Sequence, residues 1–211
     1  MRRLAWFGGG LALAAVAYSP VMRRWYLTWG ATDDEVDATL PGDDLLPGAD
    51  IRSTRAITID APPADVWPWL VQMGSGRGGA YTYDWIENLL GLNMHSANEI
   101  LPQFQTLAAG DVLPMGQDGP GMRVEICAPP RTLVFRSEDG QWVWSFSLTG
   151  RRGGTRLVSR NLIAEDGASA ARRLADRLIM EPGSLVMERK MLRGIRSRAE
   201  AMGSRMAATR S

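Results

Sequence analysis

Residues 54–74 read TRAITIDAPPADVWPWLVQMG. From Arg55 to Asp60 apolar and polar side chains alternate, as in a half-buried strand. Ala61-Pro62-Pro63 ends that strand, and Asp60 to Pro63 supply the chemistry of a helix start. Val66, Trp67, Leu70, Val71 and Met73 then recur at helical intervals, with Pro68 still in the first turns. A strand feeding directly into an apolar-faced helix needs a larger sheet to complete it, and the rest of the chain offers one.

Toward the C-terminus, a glycine-rich loop from Gly74 to Gly79 leads to a short helix expected over Tyr83–Leu90 and closed by Gly91. After an irregular stretch from His95 to Gln105, short strands are expected at Asp111–Met115, Met122–Cys127, Thr132–Ser137, Trp142–Leu148 and Arg156–Ile163. Gly119-Pro120-Gly121, Pro129-Pro130, Asp139-Gly140 and Gly150 to Gly154 punctuate them. Gaps this short make antiparallel hairpins the economical connection. Leu185, Met191, Leu192, Ile195, Ala199 and Met202 form an apolar stripe within an expected helix from Ser184 to Gly203. Arg189, Arg193, Arg196 and Arg198 occupy the opposite face, and Ser184 is placed as the N-cap after Pro182-Gly183. The order predicts an α+β fold, a curved antiparallel sheet wrapped on a long C-terminal helix with a cavity between them.

Toward the N-terminus, residues 30–50 are acidic and broken by Pro41-Gly42 and Pro47-Gly48, which predicts a linker. Before it, Leu4 to Met22 carries no charge and is bracketed by Arg2-Arg3 and Arg23-Arg24. As a helix this segment would span roughly 28 Å, close to a bilayer's hydrocarbon core. An N-terminal transmembrane helix is therefore expected, with Ala15-Val16-Ala17 offering the alternative of a cleaved signal peptide. The flanking arginines favour, by a small margin, an extracytoplasmic domain. The implied organisation is an anchor at 1–24, an acidic linker at 25–50, one domain at 51–203 and a disordered tail at 204–211.

Composition narrows the function. Apolar residues make up 45% of the 211-residue chain and charged residues 22%, enough for one globular core. A net charge of +1 excludes a global attraction to nucleic acid, although residues 151–211 hold fourteen basic side chains against six acidic ones. Cys127 is the single cysteine, so no internal disulfide and no cysteine-based metal site can form. His95 is the single histidine, without HExxH or other ligand spacing around it. No metal and no cofactor is expected. The literal G-x-G-x-x-G at Gly74–Gly79 follows a helix rather than a strand, which removes the dinucleotide-binding geometry and leaves a flexible turn.

Five segments resemble the SRPBCC superfamily, which includes START lipid-transfer domains, polyketide aromatase/cyclases and Bet v 1-like proteins. They are WGAT at Trp29–Thr32, LPGDDLLP at Leu40–Pro47, the opening segment at Thr54–Gly74, YTYDWIENLLGLNMHSANEI at Tyr81–Ile100 and EPGSLVMERKMLRGIRSRAE at Glu181–Glu200. Together they extend over residues 25–202, and the likeness is greatest to bacterial members that are membrane-associated or of unknown function. The resemblance implies a helix-grip fold with a ligand cavity; members range from carriers to cyclases, so it implies no particular reaction.

Aromatic walls suit a sterol-like, polyketide-like or acyl ligand. Trp67, Tyr81, Tyr83, Trp85, Trp142 and Trp144 are the expected ligand contacts, with His95 and Arg160 as polar ones. Arg160, in mid-strand, faces either the cavity or solvent by alternation alone. Leading is a monomeric, membrane-tethered binder or carrier of a small hydrophobic molecule or lipid. A cyclase in which His95, Tyr83 or Asp84 moves protons is second, and a scaffold whose basic last helix docks a partner is third.

Overall fold

A computed structural model describes residues 19–116 and 121–209. Residues 51–163 supply a six-stranded, curved antiparallel sheet: β1 (Ile51–Ile59), β2 (Val112–Leu113), β3 (Met122–Ala128), β4 (Thr132–Ser137), β5 (Trp142–Arg151) and β6 (Gly154–Ile163), in the order β1-β6-β5-β4-β3-β2. Only β1 and β6 are sequence-distant neighbours; the remaining pairs are hairpin or near-hairpin connections. Between β1 and β2 lie the helices α3 (Pro63–Val71) and α4 (Asp84–Leu89). The strand-then-helix expectation for residues 54–74 is met, and so is the series of strands that follows.

Register decides which side chains face inward, because paired residues share a face. Ile57 pairs with Leu157 and Leu148 with Leu157, while Phe146 pairs with Leu133. These side chains meet Met191, Leu192, Ile195 and Ala199 of the last helix in one buried cluster. Replacing a fully buried leucine such as Leu192 by alanine would cost about 2–5 kcal/mol. The helix therefore lies in the grip of the sheet, with α3 closing one end through Val66, Trp67, Trp69 and Leu70.

The last helix differs from expectation at its start. Ser184 is not its N-cap: its hydroxyl donates to the Glu181 carbonyl and accepts from Arg55. Helical structure begins instead at α5 (Ala170–Ala175), capped by the Ser169 hydroxyl, and passes through a π-helical turn (Asp176–Met180) into α6 (Glu181–Thr209). Pro182 lacks an N–H and crowds the carbonyl four residues back, and the widened turn just before it relieves that conflict.

Residues 25–50 are not a free linker either. The helix α1 (Pro20–Leu27), capped by Ser19, buries Tyr26 and Leu27 against Leu185 of α6. A second short helix, α2 (Asp33–Asp37), has a complete capping box between Thr32 and Glu35. Beyond it Leu45, Leu46 and Ala49 cover Val134, Val143 and Leu162 on the outer face of the sheet. Gly42, at φ +96°, runs so close to that face that a Cβ would stand 2.7 Å from Val134 Cγ1. Residues 1–18 of the expected anchor lie outside the described residues. Among the described residues no helix is long and apolar enough to cross a membrane.

Candidate functional site

Two arginines of β6 hold residues 31–50, a strap across the outer face of the sheet. Arg156 and Arg160 are four apart on a strand and therefore share its outer face. Arg156 grips the Glu35 carboxylate through Nε at 2.8 Å and Nη2 at 2.7 Å, and this pairing holds the carboxyl below its ordinary pKa. Arg160 uses its whole guanidinium: Nε donates to Thr54 Oγ1 at 3.0 Å, Nη1 to Ala38 O at 2.7 Å and Asp43 Oδ2 at 2.6 Å, Nη2 to Glu35 O at 2.8 Å and Val36 O at 2.9 Å. Arg160 is thus a fastener of the strap and does not enter the interior of the grip. Burial lowers its pKa, and Asp43 opposes that shift.

The inner face carries a different group. Trp142, Trp144 and Phe146 alternate along β5 and form a row, with Trp142 stacked on Trp144 at 5.6 Å and Trp144 against Phe146 at 4.9 Å. Both tryptophans remain partly exposed while packing on the core cluster. Their indole N–H groups turn toward β6, where Trp142 Nε1 donates to Asn161 Oδ1 at 2.9 Å and Trp144 Nε1 donates to Ser159 Oγ at 3.0 Å. Asn161 Nδ2 in turn donates to Glu188 Oε2 of α6 at 3.2 Å. Glu188 is also paired with Arg55 of β1, which is fully buried and donates further to Tyr26 O at 3.0 Å and Ser184 Oγ at 2.8 Å. The second carboxylate oxygen, Glu188 Oε1, is buried and has no hydrogen-bond partner within the described chain. Beside the aromatic row there is accordingly one open acceptor on a charged group, at a place where water is largely excluded.

The other expected contacts do not converge on this row. Trp67 is a core residue of α3. Tyr81 is buried, donates its hydroxyl to Trp69 O at 2.9 Å and has Arg198 stacked over its ring; burial raises its hydroxyl pKa. Tyr83 lies at the edge with Lys190 Nζ 5.7 Å from its ring, and Trp85 is 70% exposed. His95 is exposed, and its neighbour but one, Ala97, accepts from Arg198 Nε at 2.7 Å. Arg198 is ten residues along α6 from Glu188, or about 15 Å along the helix axis. The Asp84 carboxylate is occupied by Ser96, accepting from its N at 2.8 Å and its Oγ at 2.5 Å. The three residues expected to move protons therefore lie at the two ends of α4, Tyr83 and Asp84 at its start and His95 beyond its end, and none of them is on β5 or β6. Arg55, Ser159, Asn161 and Glu188 were not singled out as ligand contacts. The alternation of β1, which puts Arg55 on the same side as Ile57 and Ile59, is the signal that could have found the first of them.

Glu87 of α4 is a buried acid outside this group. Burial raises its pKa, Asp84 adds to the rise, and the Thr82 hydroxyl opposes it. Between the unfolded carboxyl value of about 4.3 and the raised folded value, the native state holds the proton more tightly. Stability contributed by this group is therefore present at low pH and falls as pH rises through that window. Glu87→Gln is expected to raise the melting temperature at pH 7 and to leave it unchanged at pH 4. Parallel thermal melts at the two pH values check this, and an equal effect at both would refute the assignment.

No family model matches the chain, and no curated protein matches it. Among solved structures it is similar to the polyketide cyclase-like protein Cgl2372 of Corynebacterium glutamicum, at 14% identity over 69% of this chain and 88% of that one, with a TM-score of 0.46. It is also similar to the KanY protein, at 14% identity over 72% and 99% of the two chains and a TM-score of 0.47. A third is protein BH1534 of Bacillus halodurans, at 17% identity over 70% and 98% and a TM-score of 0.45. The chain has a helix-grip fold. In this helix grip the inner face of β5 and β6, opposite the first turns of α6, is where aromatic surface and an open polar atom lie together.

Proposed function

We propose that this helix-grip protein binds a small, mostly apolar molecule against the Trp142–Trp144 row and carries it unchanged, tethered to a membrane through the segment upstream of Ser19. The observation behind this reading is the pairing of partly exposed stacked indoles with the unpartnered Glu188 Oε1. Flat aromatic surface favours a planar or polycyclic ligand body. The free carboxylate oxygen favours a ligand with one hydroxyl or N–H donor, because an unmet buried acceptor next to a bound apolar surface is costly. Arg55 and Asn161 fix the carboxylate from its other oxygen, so the acceptor is oriented before any ligand arrives.

The test is native mass spectrometry of the full chain, purified from membranes in mild detergent, followed by organic extraction of the bound mass. A stoichiometric, unmodified hydrophobic molecule with at least one donor group is the expected result. Trp144→Ala is expected to weaken its rebinding about 30-fold, equivalent to losing about 2 kcal/mol of contact, read by quenching of tryptophan fluorescence. A protein that emerges empty and takes up no member of a panel of sterols, lipids and polyphenols would sink the carrier reading. A chemically transformed product would replace it with the cyclase one.

A further inference from the structure

The outer face of the sheet carries a second recess, across the sheet from the indole row. On β5, Ser147, Thr149 and Arg151 alternate with Phe146 and Leu148 of the core and so face outward. Ser147 pairs with Val158 of β6 and Thr149 with Arg156, which gives the recess a two-stranded floor. Its roof is α2 and the turn beyond it, through Asp34, Glu35, Ala38 and Leu40. The cavity between floor and roof measures about 230 Å³. Sites for drug-sized ligands run to roughly 300–1,000 Å³, so this one suits a smaller, metabolite-sized molecule.

Several of its polar groups are already spent. Glu35 accepts from Arg156 on both oxygens and from Thr32 N, and Arg156 donates further to Thr58 Oγ1 and Gly30 O. Three others are open. The Ser147 hydroxyl is buried and has no hydrogen-bond partner among the described residues. Asp34 and Arg151 are exposed, and among the described residues neither side chain makes a hydrogen bond or an ion pair, with the other or with anything else. Exposure rises along β5 from the partly buried Ser147 to Thr149 and Arg151. The hydroxyl therefore marks the inner end of the recess and the two charges its mouth, while Ala38, Leu40 and Val158 supply apolar wall.

We infer that this recess binds a small zwitterion with an apolar body, of the chemical class of an aromatic amino acid with a hydroxyl at its tip. The carboxylate would meet Arg151, the ammonium Asp34, the ring Ala38, Leu40 and Val158, and the hydroxyl Ser147. A wholly apolar molecule would leave the orphaned hydroxyl unmet, and a dianion would be repelled by Asp34. L-tyrosine is a simple molecule that carries all four groups. Bound there, it would join the strap to the sheet beside the contact that Arg156 already makes.

The experiment is equilibrium dialysis of the full chain in mild detergent against labelled L-tyrosine, tyramine (no carboxylate), desaminotyrosine (no ammonium) and L-phenylalanine (no hydroxyl). Saturable uptake of one L-tyrosine per chain is expected, with tyramine and desaminotyrosine each bound about tenfold more weakly. Arg151→Gln is expected to remove the advantage of L-tyrosine over tyramine, Asp34→Asn its advantage over desaminotyrosine, and Ser147→Ala its advantage over L-phenylalanine. None of these side chains holds the strap or the sheet, so thermal melts of the variants should match the parent. Trp144→Ala is expected to leave L-tyrosine uptake unchanged. No uptake of L-tyrosine would overturn the inference, and equal binding of all four probes would reduce the recess to an apolar slot. Uptake lost in Trp144→Ala but unaltered in the other three variants would move the binding to the indole row and overturn it as well.

Discussion

Arg160→Ala is expected to lower the unfolding free energy by about 3–5 kcal/mol, the range found when one partner of a buried ion pair is removed. The guanidinium is fully buried at the side-chain level, and Asp43 is left with little solvent to replace it. Three carbonyls, those of Glu35, Val36 and Ala38, also lose their donor. The loss should be local in origin, because all of these acceptors lie in the strap on the outer face of the sheet. Urea denaturation gives the magnitude, and hydrogen exchange of residues 31–46 gives the place. Arg160→Lys separates charge from shape: an ammonium can meet Asp43 but cannot reproduce a planar five-donor fork. It is expected to recover less than half of the lost stability. A change below about 1 kcal/mol in Arg160→Ala, the range of exposed pairs, would show that the strap is held by its apolar contacts alone.

Arg55→Met carries the second large effect, on the other side of the same sheet. Arg55 is fully buried and is the cation that offsets Glu188. Removing it strands a carboxylate in the interior of the grip, again at about 3–5 kcal/mol near neutral pH. The double variant Arg55→Met/Glu188→Met removes both charges and is expected to regain most of the loss, since apolar replacement of a whole buried pair is often neutral. That double variant would also lack the open acceptor, so it should fold yet bind the extracted ligand poorly. Tight binding by it would separate Glu188 from the ligand site.

The fold was legible because its signals are periodic. The alternation of residues 55–60, the helical spacing from Val66 to Met73 and the apolar stripe from Leu185 to Ala199 each report a face that must be buried, and burial is what organises the grip. Residues 25–50 were misread because acidic composition and two Pro-Gly pairs describe local chain behaviour only. What orders this stretch is long-range: Arg156 and Arg160 lie more than a hundred residues further along the chain. Arg160 itself shows the limit of alternation, which establishes that a residue faces one side without telling which side is inside. Trp142 and Trp144 could be read as an aromatic face because they share a strand. Glu188 and Asn161 could not be joined to them, since a helix and a strand twenty-seven residues apart in sequence meet only once register and helix rotation are known.

The packed strap also sets a length. Had residues 31–50 been a flexible chain, their ends would wander to an r.m.s. separation of about 25 Å, and the grip would sweep a wide volume around its attachment. With α1 seated on α6 and Arg160 closing over residues 35–43, that slack is gone. Under the proposed tether, the height and heading of the entire domain would be set at Ser19.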